Sequence, residues 1–366
     1  MRGTAKAAIG LTVVALFAAA CSSSSSPSSS SSSSASASAG AAKFVGCMVT
    51  DTGGIDDKSF NQTSWQGMQE AAAANPNITV KYLPSTSQSD YAKNISAFIA
   101  QKCGIIVTVG FLMATATQQA AKANPSQKFA IVDNQYTPPI SNVDALVFNT
   151  VQDAFQGGYL AAGMSKTGTV ATYGGMQFGT VTIYMDGFVD GVNYYNTQHK
   201  THVKVLGWDP TTQKGTFAGN FTSLTDGQTI AQTFISEGAD VIFPVAGGVG
   251  LGTAKAVQTA DQGGKNIMME WVDTDGCLSA ASYCQYFITS VQKGIATAVK
   301  TAVLAAAAGT FKGGNYIGTL ANGGVALAPY HDWASKIPAS LQAEITKIGQ
   351  QIISGQIQTP TKSPVG

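Results

Sequence analysis

The run Asp51-Thr-Gly-Gly-Ile-Asp-Asp-Lys-Ser-Phe-Asn-Gln-Thr-Ser-Trp65 concentrates the chemistry of this 366-residue chain. An apolar segment ends at Asp51, and two glycines then permit a tight loop. Asp56, Asp57 and Ser59 precede a helical stretch, where such residues complement exposed N–H groups. Capping explains those three but leaves unexplained an aromatic, Phe60, held where a strand hands over to a helix. Comparable positions recur. Gly110-Phe111 and Asp133-Asn134 follow apolar runs, as do Asp209, Gly247-Gly248 and Asp273. One aspartate after a strand is a turn or cap residue. Several at equivalent strand ends converge on one cleft, because ligands of open α/β sheets bind beyond the carboxyl ends of the strands.

The elements that must position these residues alternate in type. Apolar, β-rich runs occur at 43–50, 79–83, 105–109, 129–132, 145–149, 169–173, 203–208, 241–244, 267–271 and 286–290. Ala-rich segments of helical length lie between most of them, at 60–74, 89–102, 114–124 and 229–237 among others. This alternation predicts βαβ units and parallel sheets covered by helices on both faces. Ten strands exceed one compact sheet, so the expected α/β architecture has two lobes. The chain should pass between them near Thr150 and again near Asp273. The expected N-terminal lobe is 43–150 plus 274–315, and the C-terminal lobe is 151–273 plus 316–366.

Composition narrows the class. Charged residues are 11% of the chain and the net charge is +1 with no basic block, which argues against nucleic-acid binding. A hydrophobic content of 44% supports a sizeable core. Residues 1–20 read as an export signal: Arg2 and Lys6 precede an uncharged apolar run ending in Ala18-Ala19-Ala20. Cys21 follows immediately, resembling a bacterial lipobox, in which that Cys is lipidated. The Ser-dominated stretch within 21–42 cannot form a core and reads as a tether. The expected location is therefore the extracytoplasmic face of the cell membrane, through a lipid anchor. Cys47, Cys103, Cys277 and Cys284 remain, an even number suited to an oxidising compartment. Local spacing favours a Cys277–Cys284 pair, and Cys47 and Cys103 lie in or near two runs expected to be neighbouring strands. No Cys-x-x-Cys occurs, His199 and His202 lie on a polar stretch, and no metal site is expected. Gly248-Val-Gly-Leu-Gly252 lacks the spacing of a dinucleotide-binding loop and reads as a helix opening.

Two families share parts of the 51–65 run. Asp51 to Asp57 resembles the calcium-binding opening of nucleoside hydrolases, although Gly53 and Gly54 stand where that motif has Asp and Pro. The whole run from Asp51 to Trp65 resembles the signature of the basic membrane protein family, substrate-binding lipoproteins of ABC importers that include purine nucleoside receptors. Further agreement lies at Val109-Gly110-Phe111, Lys128 to Asp133, Gly187-Phe188 with Gly191, Gly238 to Gly252, Val272 to Asp275 and Thr289 to Lys293. The resemblance spans about residues 43–360. It implies a two-lobed type I periplasmic-binding-protein fold with ligand held between the lobes and no catalysis.

Carried over by position, the resemblance makes Phe60 and Phe221 stacking aromatics, one from each lobe. Asp51, Asn61 and Asp133 would contact the base, and Asp273, the Gly248 backbone and Lys293 the ribose. The chemistry is self-consistent: two aromatic faces sandwich a planar base, and a carboxylate accepts both hydroxyls of a cis-diol. The implied partners are a nucleoside, ABC permease and ATPase subunits, with the receptor a monomer that needs no cofactor. The alternatives are a receptor or sensor for another small polar ligand such as a sugar, and a calcium-dependent nucleoside hydrolase.

Overall fold

The computed structural model describes residues 43–366. The expected export signal (1–20), Cys21 and the tether up to residue 42 lie outside the described residues. Within 43–366 the chain begins with β1 (Phe44–Val49), α1 (Phe60–Ala74), β2 (Ile78–Leu83), α2 (Tyr91–Ala100), β3 (Ile105–Val109), α3 (Ala114–Ala123), β4 (Phe129–Val132) and β5 (Val143–Phe148). These strands pair in parallel in the order β2-β1-β3-β4-β5. Every residue of β3 and β4 is buried, as expected where helices cover both faces of a parallel sheet and the strands read as continuous apolar runs.

After Phe148 the chain enters a second lobe. There follow α4 (Val151–Met164), β6 (Thr169–Gly174), α5 (Gly179–His199), β7 (Lys204–Leu206) and a two-residue hairpin of β8 (Trp208–Asp209) and β9 (Lys214–Gly215). Next come α6 (Leu224–Ser236), β10 (Val241–Val245), α7 (Gly250–Gln262), β11 (Met268–Asp273), the short α8 (Gly276–Ser279) and β12 (Phe287–Lys293). Then α9 (Ile295–Ala307) and β13 (Gly314–Gly318) return to the first lobe, while β14 (Val325–Leu327) and α10 (Ala339–Ile353) complete the second. The second sheet has the order β14-β12-β11-β10-β6-β7, parallel except for β14, and β13 edges the first sheet beside β5.

The expected crossing near Asp273 is corrected. β12 pairs in parallel with β11, so 274–293 stays in the second lobe and the chain crosses at Gly294. The segment between these strands is a stapled excursion within the second lobe. The next boundary also moves: β13 pairs along its length with β5, so the chain leaves the first lobe after Gly318 instead of after residue 315. Each sheet has packed cores on both faces. Cys47 joins Cys103 inside the first lobe, with Cα atoms 6.0 Å apart, and Cys277 joins Cys284, with Cα atoms 4.5 Å apart. Among the described residues no helix is long and apolar enough to cross a membrane.

Candidate functional site

A cleft with an empty volume of about 590 Å³ opens between the two lobes. Its walls are the carboxyl ends of β1, β3, β4, β10, β11 and β12, together with the starts of α1 and α5. On the first-lobe side, Asp51 is buried and its Oδ1 accepts from the Gly53 N–H (2.9 Å) and from Asn61 Nδ2 (2.8 Å). Burial pushes its pKa upward against those two donors. Gly110 follows β3 at φ 104°, and a Cβ there would lie 2.7 Å from Asp51 Oδ2, so the backbone's close approach requires glycine.

Asp57 is the residue that caps α1. Its carboxylate accepts the N–H groups of Ser59 (3.0 Å), Asn61 (2.8 Å) and Gln62 (3.0 Å), while burial pushes its pKa up to about 7. Ser59, freed from capping, reaches across the cleft. Phe60, the first residue of α1, presents its ring to the cavity with Lys293 Nζ 5.3 Å from the ring centroid. Asn61 Oδ1 is buried without a protein partner, an acceptor on the cleft wall that a ligand donor would satisfy.

Asp133 and Asp273 occupy matching places, one after β4 and one at the end of β11, both with left-handed backbone (φ 62° and 67°). Asp273 Oδ2 accepts from Ser59 Oγ at 2.6 Å, and its Oδ1 accepts from the Tyr184 hydroxyl at 3.1 Å. Lys293, at the end of β12, donates to Asp133 Oδ2 and lies 3.8 Å from Asp273 Oδ1, bridging the lobes at their hinge. Burial raises the Asp133 pKa, and Lys293 offsets only part of that rise.

Phe221 lines the opposite wall from a loop of the second lobe. A Cβ on Gly175 would sit 2.3 Å from its ring, so this glycine gives the ring its seat. Gly247 lines the cleft and Gly248 does not; a Cβ on Gly248 would lie 3.2 Å from the Phe221 carbonyl oxygen. Asp209 is also absent from the cleft. It sits exposed on the β8–β9 hairpin, accepting from Thr211 and Thr212.

Two aromatic side chains that the sequence does not single out also line the cleft. Tyr184, buried in the second turn of α5, orients Asp273. Phe178 precedes α5, and its ring centroid lies 5.1 Å from that of Phe111 across the cleft mouth. The aromatic-plus-strand-end signal was present at Phe111, whereas the amphipathic period of α5 gives no sign that Tyr184 faces a ligand.

This donor set does not fit calcium. The Asn61 amide NH₂ lies between the Asp51 and Asp57 carboxylates, and three backbone N–H groups saturate Asp57. Calcium sites instead assemble several free oxygens around the ion. Among the described residues, Asp275, Cys277 and His331 form another cluster with metal-type side chains, and its sulfur is committed to the disulfide. The cleft's lining carries four carboxylates (Asp51, Asp57, Asp133, Asp273) and one cation (Lys293). That balance favours a neutral, donor-rich ligand over one bearing phosphate.

A family model described as "ABC transporter substrate-binding protein PnrA-like", Bmp, matches residues 44–363. The chain is 30% identical over 328 residues to "ABC transporter nucleoside-binding protein BmpA" of Lactococcus lactis subsp. cremoris, covering 86% of this chain and 88% of that protein. It is 27% identical to "Basic membrane protein A" of Borreliella burgdorferi, covering 84% and 86%. Among solved structures, an ABC transporter solute-binding protein from Aeropyrum pernix superposes with a TM-score of 0.79 at 24% identity, covering 87% of this chain and 94% of that one.

Proposed function

We propose, from the premise that this chain belongs to the Bmp family of PnrA-like ABC transporter substrate-binding proteins, that its cleft binds a purine nucleoside for import. In this reading Phe60 and Phe221 stack on the two faces of the base, one from each lobe. Asp51, Asn61 and Asp133 supply polar contacts to its edge, and the Asp273 carboxylate accepts the ribose diol beside Lys293. The observation that carries the reading is the combination of opposed aromatics with Asp273, held by Ser59, Tyr184 and Lys293. The name of the Lactococcus relative, a nucleoside-binding protein, supports it.

Selectivity for ribosides follows from desolvation. Asp273 loses water when the lobes close, and a ligand without the diol leaves it short of donors, at a cost of about 1–3 kcal/mol. The protein delivers its ligand to ABC permease and ATPase subunits, and Cys21 carries the lipid that holds it on the extracytoplasmic face.

The test is thermal unfolding of residues 42–366 against guanosine, adenosine, inosine, cytidine, uridine, ribose and free bases. A ligand at 100 times its dissociation constant adds about 2.7 kcal/mol of apparent stability, a readily measured shift. Shifts confined to purine nucleosides are expected. Silence across the panel, or a response to ribose alone, would overturn the assignment.

A further inference from the structure

One point of contact between the lobes lies outside the ligand cleft. The backbone carbonyl of Lys58, in the first-lobe loop before α1, accepts two hydrogen bonds from the second lobe. One comes from Trp271 Nε1 at 3.1 Å and the other from Ser279 Oγ at 2.7 Å. Lys58 itself has left-handed backbone, φ 58°. Neither Lys58, Trp271 nor Ser279 lines the cleft.

Both donors are held rigidly. Trp271 is fully buried on β11, and a Cβ on Gly276 would lie 2.7 Å from its side chain. Ser279 ends α8 on a loop fixed at several points. The Cys277–Cys284 disulfide closes it, and Asp275 takes the Cys277 N–H on Oδ1 (3.0 Å) and pairs with His331 Nε2 through Oδ2 (2.7 Å). The Gly276 N–H donates to Ser290 Oγ on β12 at 3.0 Å. A loop with that many anchors presents the Ser279 hydroxyl in one place.

We infer that Ser279 and Trp271 form a closure latch on the Lys58 carbonyl, and that this latch sets the affinity of the cleft without touching its ligand. Only the closed arrangement places Lys58 against both donors. In an open arrangement the carbonyl and both donors return to water. The latch therefore contributes to the closed population before any ligand arrives. Apparent affinity scales with the fraction of molecules in the binding-competent state, so a weaker latch lowers affinity for every ligand by one common factor. The stapled loop thereby gains a role beyond local stability: it holds one of the latch's two donors in place.

The inference depends on the two-lobed closure and is independent of which ligand is bound. Its test uses the full chain with Ser279→Ala, Ser279→Thr and Trp271→Phe, and with adenosine, guanosine and inosine as probes. In Ser279→Ala, affinity for all three should fall by the same factor, about threefold to tenfold, through faster dissociation and with their ranking unchanged. Ser279→Thr keeps the hydroxyl and should restore most of it. In ligand-free protein, amide hydrogen exchange at 51–60 should accelerate in Ser279→Ala, and likewise in Trp271→Phe if that variant folds. Unchanged exchange together with unchanged affinity would overturn the latch, as would a loss that differs between the three nucleosides. If no nucleoside binds the wild type, the ligand assignment fails, while the exchange comparison still decides the latch.

Discussion

Asp273 shows how closely residue identity and site geometry are tied. It takes hydrogen bonds from Ser59 of one lobe and Tyr184 of the other, with Lys293 3.8 Å away, so its carboxylate is oriented before a ligand arrives. Asp273→Asn keeps the shape but loses acceptor capacity. It should cost affinity for ribosides while sparing free bases, as measured by calorimetric titration of adenosine against adenine. Equal losses would detach Asp273 from the ribose. Phe60→Ala removes one stacking face and should weaken nucleoside binding more than tenfold with no change in circular dichroism. Asp273 was legible because it sits where a strand ends, and Phe60 because the glycines and acids of the 51–65 run mark the passage from β1 to α1. Tyr184 was not legible, since a side chain aimed at a cleft from α5 follows the same helical period as side chains aimed at the core, and Phe178 sits in the extended link before α5 with no strand-end signal. Gly247, at φ 52°, lines the cavity and Gly248 does not, a distinction set by backbone angles that the sequence Gly-Gly leaves free.

At the scale of elements, α4 and α5 pack backbone to backbone in the second lobe. A Cβ on Gly158 would lie 1.9 Å from the Phe188 carbonyl oxygen, and one on Gly191 would lie 2.0 Å from that of Phe155. The glycines thus allow backbone to meet backbone, which gives a packing reason for Gly187-Phe188 and Gly191 in the sequence. Gly158→Ala must push the helices apart and should destabilise the protein by about 1–3 kcal/mol or more in urea unfolding. Unchanged stability would mean that the pair has room to separate. Glu270, on β11 beneath α4, is buried with neither oxygen partnered, and burial pushes its pKa up to about 8. Its folded pKa exceeds the unfolded value, so between about pH 4.5 and 8 the native state holds the proton more strongly than the unfolded chain. This group's contribution to stability therefore falls as pH rises through that window. Glu270→Gln should flatten the decline between pH 5 and pH 8; an identical slope would show that Glu270 does not titrate there. Most strands were readable from their apolar, β-branched runs. β13 (Gly-Asn-Tyr-Ile-Gly) and β14 (Val-Ala-Leu) were not, because β13 carries a single β-branched residue between polar and glycine positions and β14 is only three residues long, so both draw their definition from the neighbour they pair with.

For the whole molecule, the order in which the chain visits its lobes matters more than the number of lobes. The sequence revealed two sheets through the count of strands, yet it misplaced the second crossing. An aspartate at a strand end followed by a small stapled loop looks the same whether the chain then crosses or stays. In the structure β12 joins the second sheet before α9 returns to pack on α1, β13 then adds the last strand of the first sheet, and β14 the last of the second. Neither lobe owns a continuous stretch of chain. The first lobe's core needs Ile295, Val299 and Val303, which follow the whole second-lobe segment, and the second lobe's core needs Ile345 and Ile348 from α10. Lys293, with Asp133 of one lobe and Asp273 of the other, ties the two at the crossing itself. Unfolding one lobe alone would strand the strand-and-helix segments it lends to and borrows from the other. The described body should therefore unfold in a single transition, with tryptophan fluorescence and far-ultraviolet circular dichroism giving coincident curves. Trp65 reports on the first lobe, and Trp208, Trp271 and Trp333 on the second, so single-tryptophan variants can follow each lobe separately. A saturating ligand should move both curves upward together, because it binds residues from both lobes and neither lobe alone. Separate midpoints, or a ligand shift seen by only one reporter, would show that the lobes are independent folding units joined by passive crossings.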